Sequence, residues 1–387
     1  MLAVQMLASL VLSTAAVISP AVAPSLDLPP ERVGVFVALA YLAAMAGGLP
    51  TGHWVARWGG VRVSQASLLY LMLGTWLACV GEPWCLLWAA LCIGFGYGLS
   101  NPSATAVLAR HVPAQASGLF FSMKQAGVPL GVALAGLSMP LGLRWLGWQP
   151  SVFVAGALCL LLCLWLWSTV TRLQPADERR TVPAGTRWWS ALLDVGRDRE
   201  LRRLGLVSLV YAMAQQGFVT FLVSLLHLQG GLTLAVAAAI LAASQVASTA
   251  ARVGFGHVAD RWVSPPRLLG WLGIAMSLGL VLLAWVGTTG HMLGSALVAL
   301  VCSTFVMGWN GVFFAELVRT APRERLASAA GTTQFLTFAG AMSGPFLVSQ
   351  WVSWGGSYAQ GLMWMALCPI VIGLWLLRRS ARAQAPR

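Results

Sequence analysis

Gly52-His53-Trp54-Val55-Ala56-Arg57 returns 204 residues later as Gly256-His257-Val258-Ala259-Asp260-Arg261, with the Gly-His pair and the closing arginine at identical spacing. Two further sets repeat. Asn101, Arg110 and Pro113 recur as Asn310, Arg319 and Pro322 at an offset of 209, and Gly118, Gly127 and Gly131 recur as Gly331, Gly340 and Gly344 at 213. An offset that drifts by a few residues is what two copies of one ancestral unit produce when their loops differ in length. The chain therefore reads as a duplication.

Hydrophobic residues make up 58% of the 387 and charged residues 9%, against about 25% charged in a soluble domain. This balance excludes an aqueous globular fold. A helix needs about 20 mainly apolar residues to cross hydrocarbon, and lipid forces backbone groups to be satisfied within the segment. Continuous apolar runs favour helices over the alternating strands of a barrel. Twelve such segments are counted: 2–22, 33–54, 63–81, 84–109, 116–140 and 150–171, then 204–228, 232–257, 267–288, 291–317, 327–352 and 357–377. The expected fold class is an all-α polytopic membrane protein, with twelve transmembrane helices in two pseudo-symmetric six-helix bundles. The expected domains are 1–171, a linker over 172–203, and 204–387 with a short basic tail. In the linker, Asp177 to Arg180 with Trp188, Trp189, Leu192 and Leu193 fit either an amphipathic surface helix or a solvated connection. Reading the first span as a cleaved signal would break the six-plus-six correspondence, so it is counted as a span.

Short cytoplasmic loops are enriched in Lys and Arg. Arg57, Arg62, Arg110, Arg261, Arg267, Arg319, Arg323 and Arg325 follow even-numbered spans, and the tail adds Arg378, Arg379, Arg382 and Arg387. The opposite side holds Arg32 and Arg144. Both termini are thus expected in the cytoplasm, and the membrane is expected to be a bacterial inner membrane. The same asymmetry accounts for the net charge of +13, which otherwise suggests a nucleic-acid partner; none is expected. The seven cysteines lie in or beside spans with no metal-binding spacing, so no metal is expected. They read mainly as buried apolar thiols, with a Cys79–Cys85 meeting as the alternative.

Lys124 is the single lysine of the chain and lies about two turns inside the fifth span. Ionisable groups at membrane depth commonly face a cavity and mark a pathway, and an ammonium with no deep carboxylate nearby suits an anionic solute. Snorkelling to the surface is the alternative. Asn101 and Asn310, related by the repeat, either form a midplane site or cap kinks beside Pro102 and Gly311.

Two six-helix halves, a charged central linker and Gly-x-x-x-Asp-Arg at Gly256 to Arg261 together resemble the major facilitator superfamily of secondary transporters. The resemblance spans nearly the whole chain. It implies that the loops around Gly52 and Gly256 latch a cytoplasmic gate, here built from Arg57, Arg62, Arg110, Arg252, Asp260, Arg261, Glu316 and Arg319. The first half departs from the pattern, with Ala56 and Val107 where Asp260 and Glu316 have their counterparts, so the expected latch is lopsided. Gly331, Gly340, Gly344 and Pro345 resemble the family's antiporter motif. With Gly118, Gly127 and Gly131 they are read as packing and bending positions. The resemblance also places the cavity on the first and fourth helices of each half. Those helices carry Tyr97, Asn101, Tyr211, Gln215, Gln216, Trp309 and Asn310, which join Lys124 of the fifth span as the expected substrate-binding residues.

The leading functional expectation is a secondary active transporter of a small anionic solute by alternating access, working as a monomer, with proton coupling admitted. The alternatives are a multidrug or metabolite efflux pump of the same fold, and a non-transporting membrane receptor or scaffold. No His-Glu-x-x-His, Gly-x-Ser-x-Gly or phosphate loop occurs, so neither an enzyme nor a cofactor is expected.

Overall fold

A computed structural model describes the backbone of residues 1–111, 117–173, 198–320 and 326–382, and side chains within these except at 109–110, 117–122, 169–173, 260, 326–329 and 382. Thirteen α-helices run through the described residues, which contain no strand. In chain order they are α1 (Leu2–Val22), α2 (Val33–Gly48), α3 (Thr51–Trp58), α4 (Gly60–Ala78), α5 (Pro83–His111), α6 (Ser117–Trp145), α7 (Trp148–Leu173), α8 (Arg199–Ser224), α9 (Leu234–Arg261), α10 (Pro265–Val286), α11 (Met292–Thr320), α12 (Leu326–Ser353) and α13 (Tyr358–Arg382). Ten helical stretches are long and apolar enough to cross a membrane. The helices α4 and α12, which occupy the places of the expected third and eleventh spans, are not among those ten.

The expected element ends need three corrections. The second span does not run unbroken from 33 to 54: α2 stops at Gly48, and α3 begins after Pro50, whose ring cannot continue a helix. Gly59, at φ +84, then turns the chain into α4, a backbone angle that L side chains rarely adopt. In the second half no proline interrupts, and α9 carries the matching Gly256–Arg261 sequence as continuous helix rather than loop. The seventh span begins at Arg199, not 204. Asp198 caps it, its carboxylate accepting from the Glu200 and Leu201 amides at 2.8 and 3.1 Å. The expected linker helix around Trp188 to Leu193 lies outside the described residues.

The chain divides into two compact units, residues 1–30 with 36–188, and 31–35 with 189–387. Each unit pairs its helices in the same way. In the first, α1 packs on α6, α4 on α7 and α4 on α5; in the second, α8 packs on α12, α10 on α13 and α10 on α11. Glycines set the closest of these approaches. A Cβ on Gly131 would collide with the Met6 carbonyl of α1, and one on Gly344 with the Met213 carbonyl of α8. The repeat seen in the sequence is therefore also a repeat of helix packing. The cysteines are free, but only Cys159, Cys163 and Cys302 are buried, so burial does not extend to all seven as expected.

Candidate functional site

In the first unit, Lys124 projects from α6 onto α5. Its side chain is buried, with the residue 3% exposed. The ammonium donates to Asn101 Oδ1 and, at 2.7 Å, to Thr105 Oγ1, and approaches the Asn101 carbonyl at 3.4 Å. Thr105 in turn donates to that carbonyl at 2.7 Å. Asn101 and Thr105 are one turn apart on one face of α5, so a single helix face presents both acceptors. No carboxylate among the described residues pairs with Lys124. Among the described residues the ammonium is held by neutral oxygens alone.

Polar atoms without partners lie on the neighbouring helix contact. Gln5 Oε1 and Ser9 Oγ of α1 and Gln125 Oε1 of α6 are buried with no hydrogen-bond partner. The Gln5 and Ser9 side chains lie against the positions where Gly127 and Gly131 bring α6 onto α1. Buried polar atoms are rarely left unsatisfied, and an exception calls for water, an ion or a ligand. Tyr97 stands edge-on to Tyr41 at 6.0 Å between ring centroids.

In the second unit, Gln215 Oε1 accepts from Trp309 Nε1 at 2.9 Å and from Asn310 Nδ2 at 3.1 Å, tying α8 to α11. Asn310 also donates to the Met307 carbonyl at 3.2 Å. Tyr211 and Trp309 are almost fully enclosed, their rings edge-on at 5.7 Å. The Tyr211 hydroxyl donates to the Leu269 carbonyl of α10 at 2.6 Å, so its polar end is used within the helix packing. Gln216 and Asn310 keep partial exposure.

The residues expected at a gate separate into different settings. Arg57, Arg62, Arg261 and Arg319 are exposed, and Arg57 lies over the Trp58 ring at 5.9 Å. Arg252 donates from Nε to the Met307 carbonyl at 3.1 Å. The side chains of Arg110 and Asp260 lie outside the described residues. Glu316 is buried and meets Arg203, which the sequence reading does not name, at 2.7 Å. Arg203 also bridges to Glu200 at 2.8 Å, and Glu200 pairs with Arg379. A four-residue charge network thereby joins α8, α11 and α13. Thr105 is the other functional neighbour missed; its i, i+4 spacing from Asn101 was the available signal. Gly340 faces the Leu209 carbonyl of α8, while Gly331 has nothing within 4 Å of where a Cβ would stand.

A curated relative, the 3-(3-hydroxy-phenyl)propionate transporter of Escherichia coli (strain K12), is 23% identical over 386 residues, covering 97% of this chain and 93% of that protein. Among solved structures, a peptide transporter POT in complex with sulfate aligns with a TM-score of 0.77 at 15% identity, over 98% of this chain and 94% of that one. The nucleoside transporter NupG aligns at 0.76 and 13%, over 97% and 98%. These likenesses to solved structures establish the fold. The family profile of the Major Facilitator Superfamily matches residues 1–345, and the chain belongs to that superfamily, as a membrane-embedded transporter of a small solute and not an enzyme.

Proposed function

We propose that the protein is a secondary active transporter of a small organic anion, carboxylates foremost, working by alternating access as a monomer. The observation that carries this reading is the buried Lys124 ammonium, bound by Asn101 and Thr105 and matched by no acid among the described residues. An uncompensated charge at that depth is costly unless a counter-ion visits it. The substrate's carboxylate supplies that charge, and the Gln5, Ser9 and Gln125 oxygens offer acceptors for a hydroxyl or for water carried with it. The Escherichia coli relative is named for an aryl-substituted propionate, a carboxylate, in keeping with this chemistry.

In this proposal Asn101, Gln215, Gln216, Tyr97 and Asn310 contribute hydrogen-bonding groups to the route. Tyr211 and Trp309 hold its wall through the contacts described above. The exposed arginines, Arg252 and Glu316 belong to a cytoplasmic gate, and the division at 172–203 separates two six-helix bundles in a bacterial inner membrane. Protons are admitted as the coupling ion.

Thermal unfolding of the detergent-purified protein tests the anion. Phenylpropionate-type carboxylates at about 100 times their dissociation constant should stabilise it by roughly 2.7 kcal/mol, and Lys124→Ala should abolish that shift. Stabilisation by amphiphilic cations instead, indifferent to Lys124, would establish the efflux alternative.

A further inference from the structure

A cavity of ≈ 620 Å³ lies between the start of α8 and the end of α13. Five guanidiniums line it: Arg199, Arg202 and Arg203 from α8, and Arg378 and Arg379 from α13. Arg203 and Arg379 are braced by Glu200 and Glu316. Arg199, Arg202 and Arg378 are exposed and have no ion-pair partner among the described residues. Among the described residues the acids at this end are Glu200, Glu316 and the capping Asp198, fewer than the five arginines.

Local helix energetics accounts for only part of this arrangement. Arg378 and Arg379 sit in the last turns of α13, where the helix dipole favours cations. Arg199 and Arg202 sit in the first turn of α8, where the same dipole disfavours them. A bound anion would reverse that penalty.

The remaining lining identifies the anion. Leu206 and Trp375, one further turn along each helix, are 45% and 39% exposed. Apolar side chains thus continue from the arginines along helices long and apolar enough to cross a membrane. Guanidiniums at the helix ends with an apolar strip beside them match a phosphate headgroup with acyl chains attached, because the charge stays at headgroup depth while the chains run along the strip. A soluble anion would leave Leu206 and Trp375 wet. We propose that this cavity binds the phosphodiester headgroup of an anionic phospholipid. Bidentate pairing to phosphate is the chemistry that guanidinium performs best.

Native mass spectrometry of the full chain tests this with dioleoyl phosphatidylglycerol, dioleoyl phosphatidylcholine and glycerol 3-phosphate as probes. The wild type should retain phosphatidylglycerol about tenfold more strongly than phosphatidylcholine. The double substitution Arg202→Gln with Arg378→Gln should bring that ratio near one, and millimolar glycerol 3-phosphate should not displace the lipid. No preference in the wild type, or one unchanged in the double variant, overturns the proposal. Displacement by glycerol 3-phosphate overturns it in favour of a soluble anion. Should the double variant misfold, hydrogen exchange on the wild type decides: phosphatidylglycerol nanodiscs should protect 199–206 and 375–382 relative to phosphatidylcholine nanodiscs, and equal exchange would overturn the assignment.

Discussion

A lysine buried for structural reasons and one buried for a ligand respond differently to removal. A structural ammonium is part of a satisfied network, and its loss destabilises. Lys124 has hydrogen-bond acceptors but no counter-charge among the described residues, so replacing it with an apolar side chain of similar length removes a desolvation cost. Lys124→Met is expected to hold or raise the melting temperature of the empty protein while losing the carboxylate-induced shift. Asn101→Ala and Thr105→Val each remove one oxygen that aims the ammonium. Each should weaken anion affinity by about tenfold, the usual worth of a hydrogen bond to a charged group, with titration calorimetry as the readout. At this scale the sequence is informative when a residue is rare. One lysine in an apolar chain points to itself, and the structure finds it at an Asn101–Thr105 pair. Arg203 is invisible by the same method, because its partner Glu316 is 113 positions away and nothing local marks the pairing.

Helix pairs record the duplication more faithfully than side chains do. Gly131 and Gly344 are repeat mates, and each admits the backbone of its unit's first helix. Gly344→Leu and Gly131→Leu should each cost about 1–3 kcal/mol through overpacking, read as lowered melting temperature. Gly331→Ala, at an open helical position, should instead gain up to about 1 kcal/mol from backbone entropy. Equal effects at Gly331 and Gly344 would contradict the packing account. The glycine spacing was legible in the sequence because close helix contact requires small residues at fixed positions. Element ends were less so: hydropathy continues through Gly48 to Trp54, and Pro50 was the overlooked break. The Asp198 cap was likewise readable from an Asp placed just before a helix start.

The whole molecule inherits its membrane character from composition, and its duplicated architecture from offsets that drift by a few residues, as two copies with loops of different length produce. Sidedness rests on where the arginines fall. Reporter fusions at either terminus should give fluorescent green fluorescent protein and inactive alkaline phosphatase; active phosphatase at the C-terminus would reverse the orientation. Substrate identity was not legible at this scale, since superfamily members share a fold and differ in a few polar side chains. Solute flux through purified protein in liposomes bears most directly on the central claim. Wild-type liposomes should accumulate or exchange radiolabelled phenylpropionate, and Lys124→Ala liposomes with the same protein content should lose at least about tenfold of the initial rate. Equal flux by both proteins, or flux only of cationic amphiphiles, would contradict an anion pathway built on Lys124.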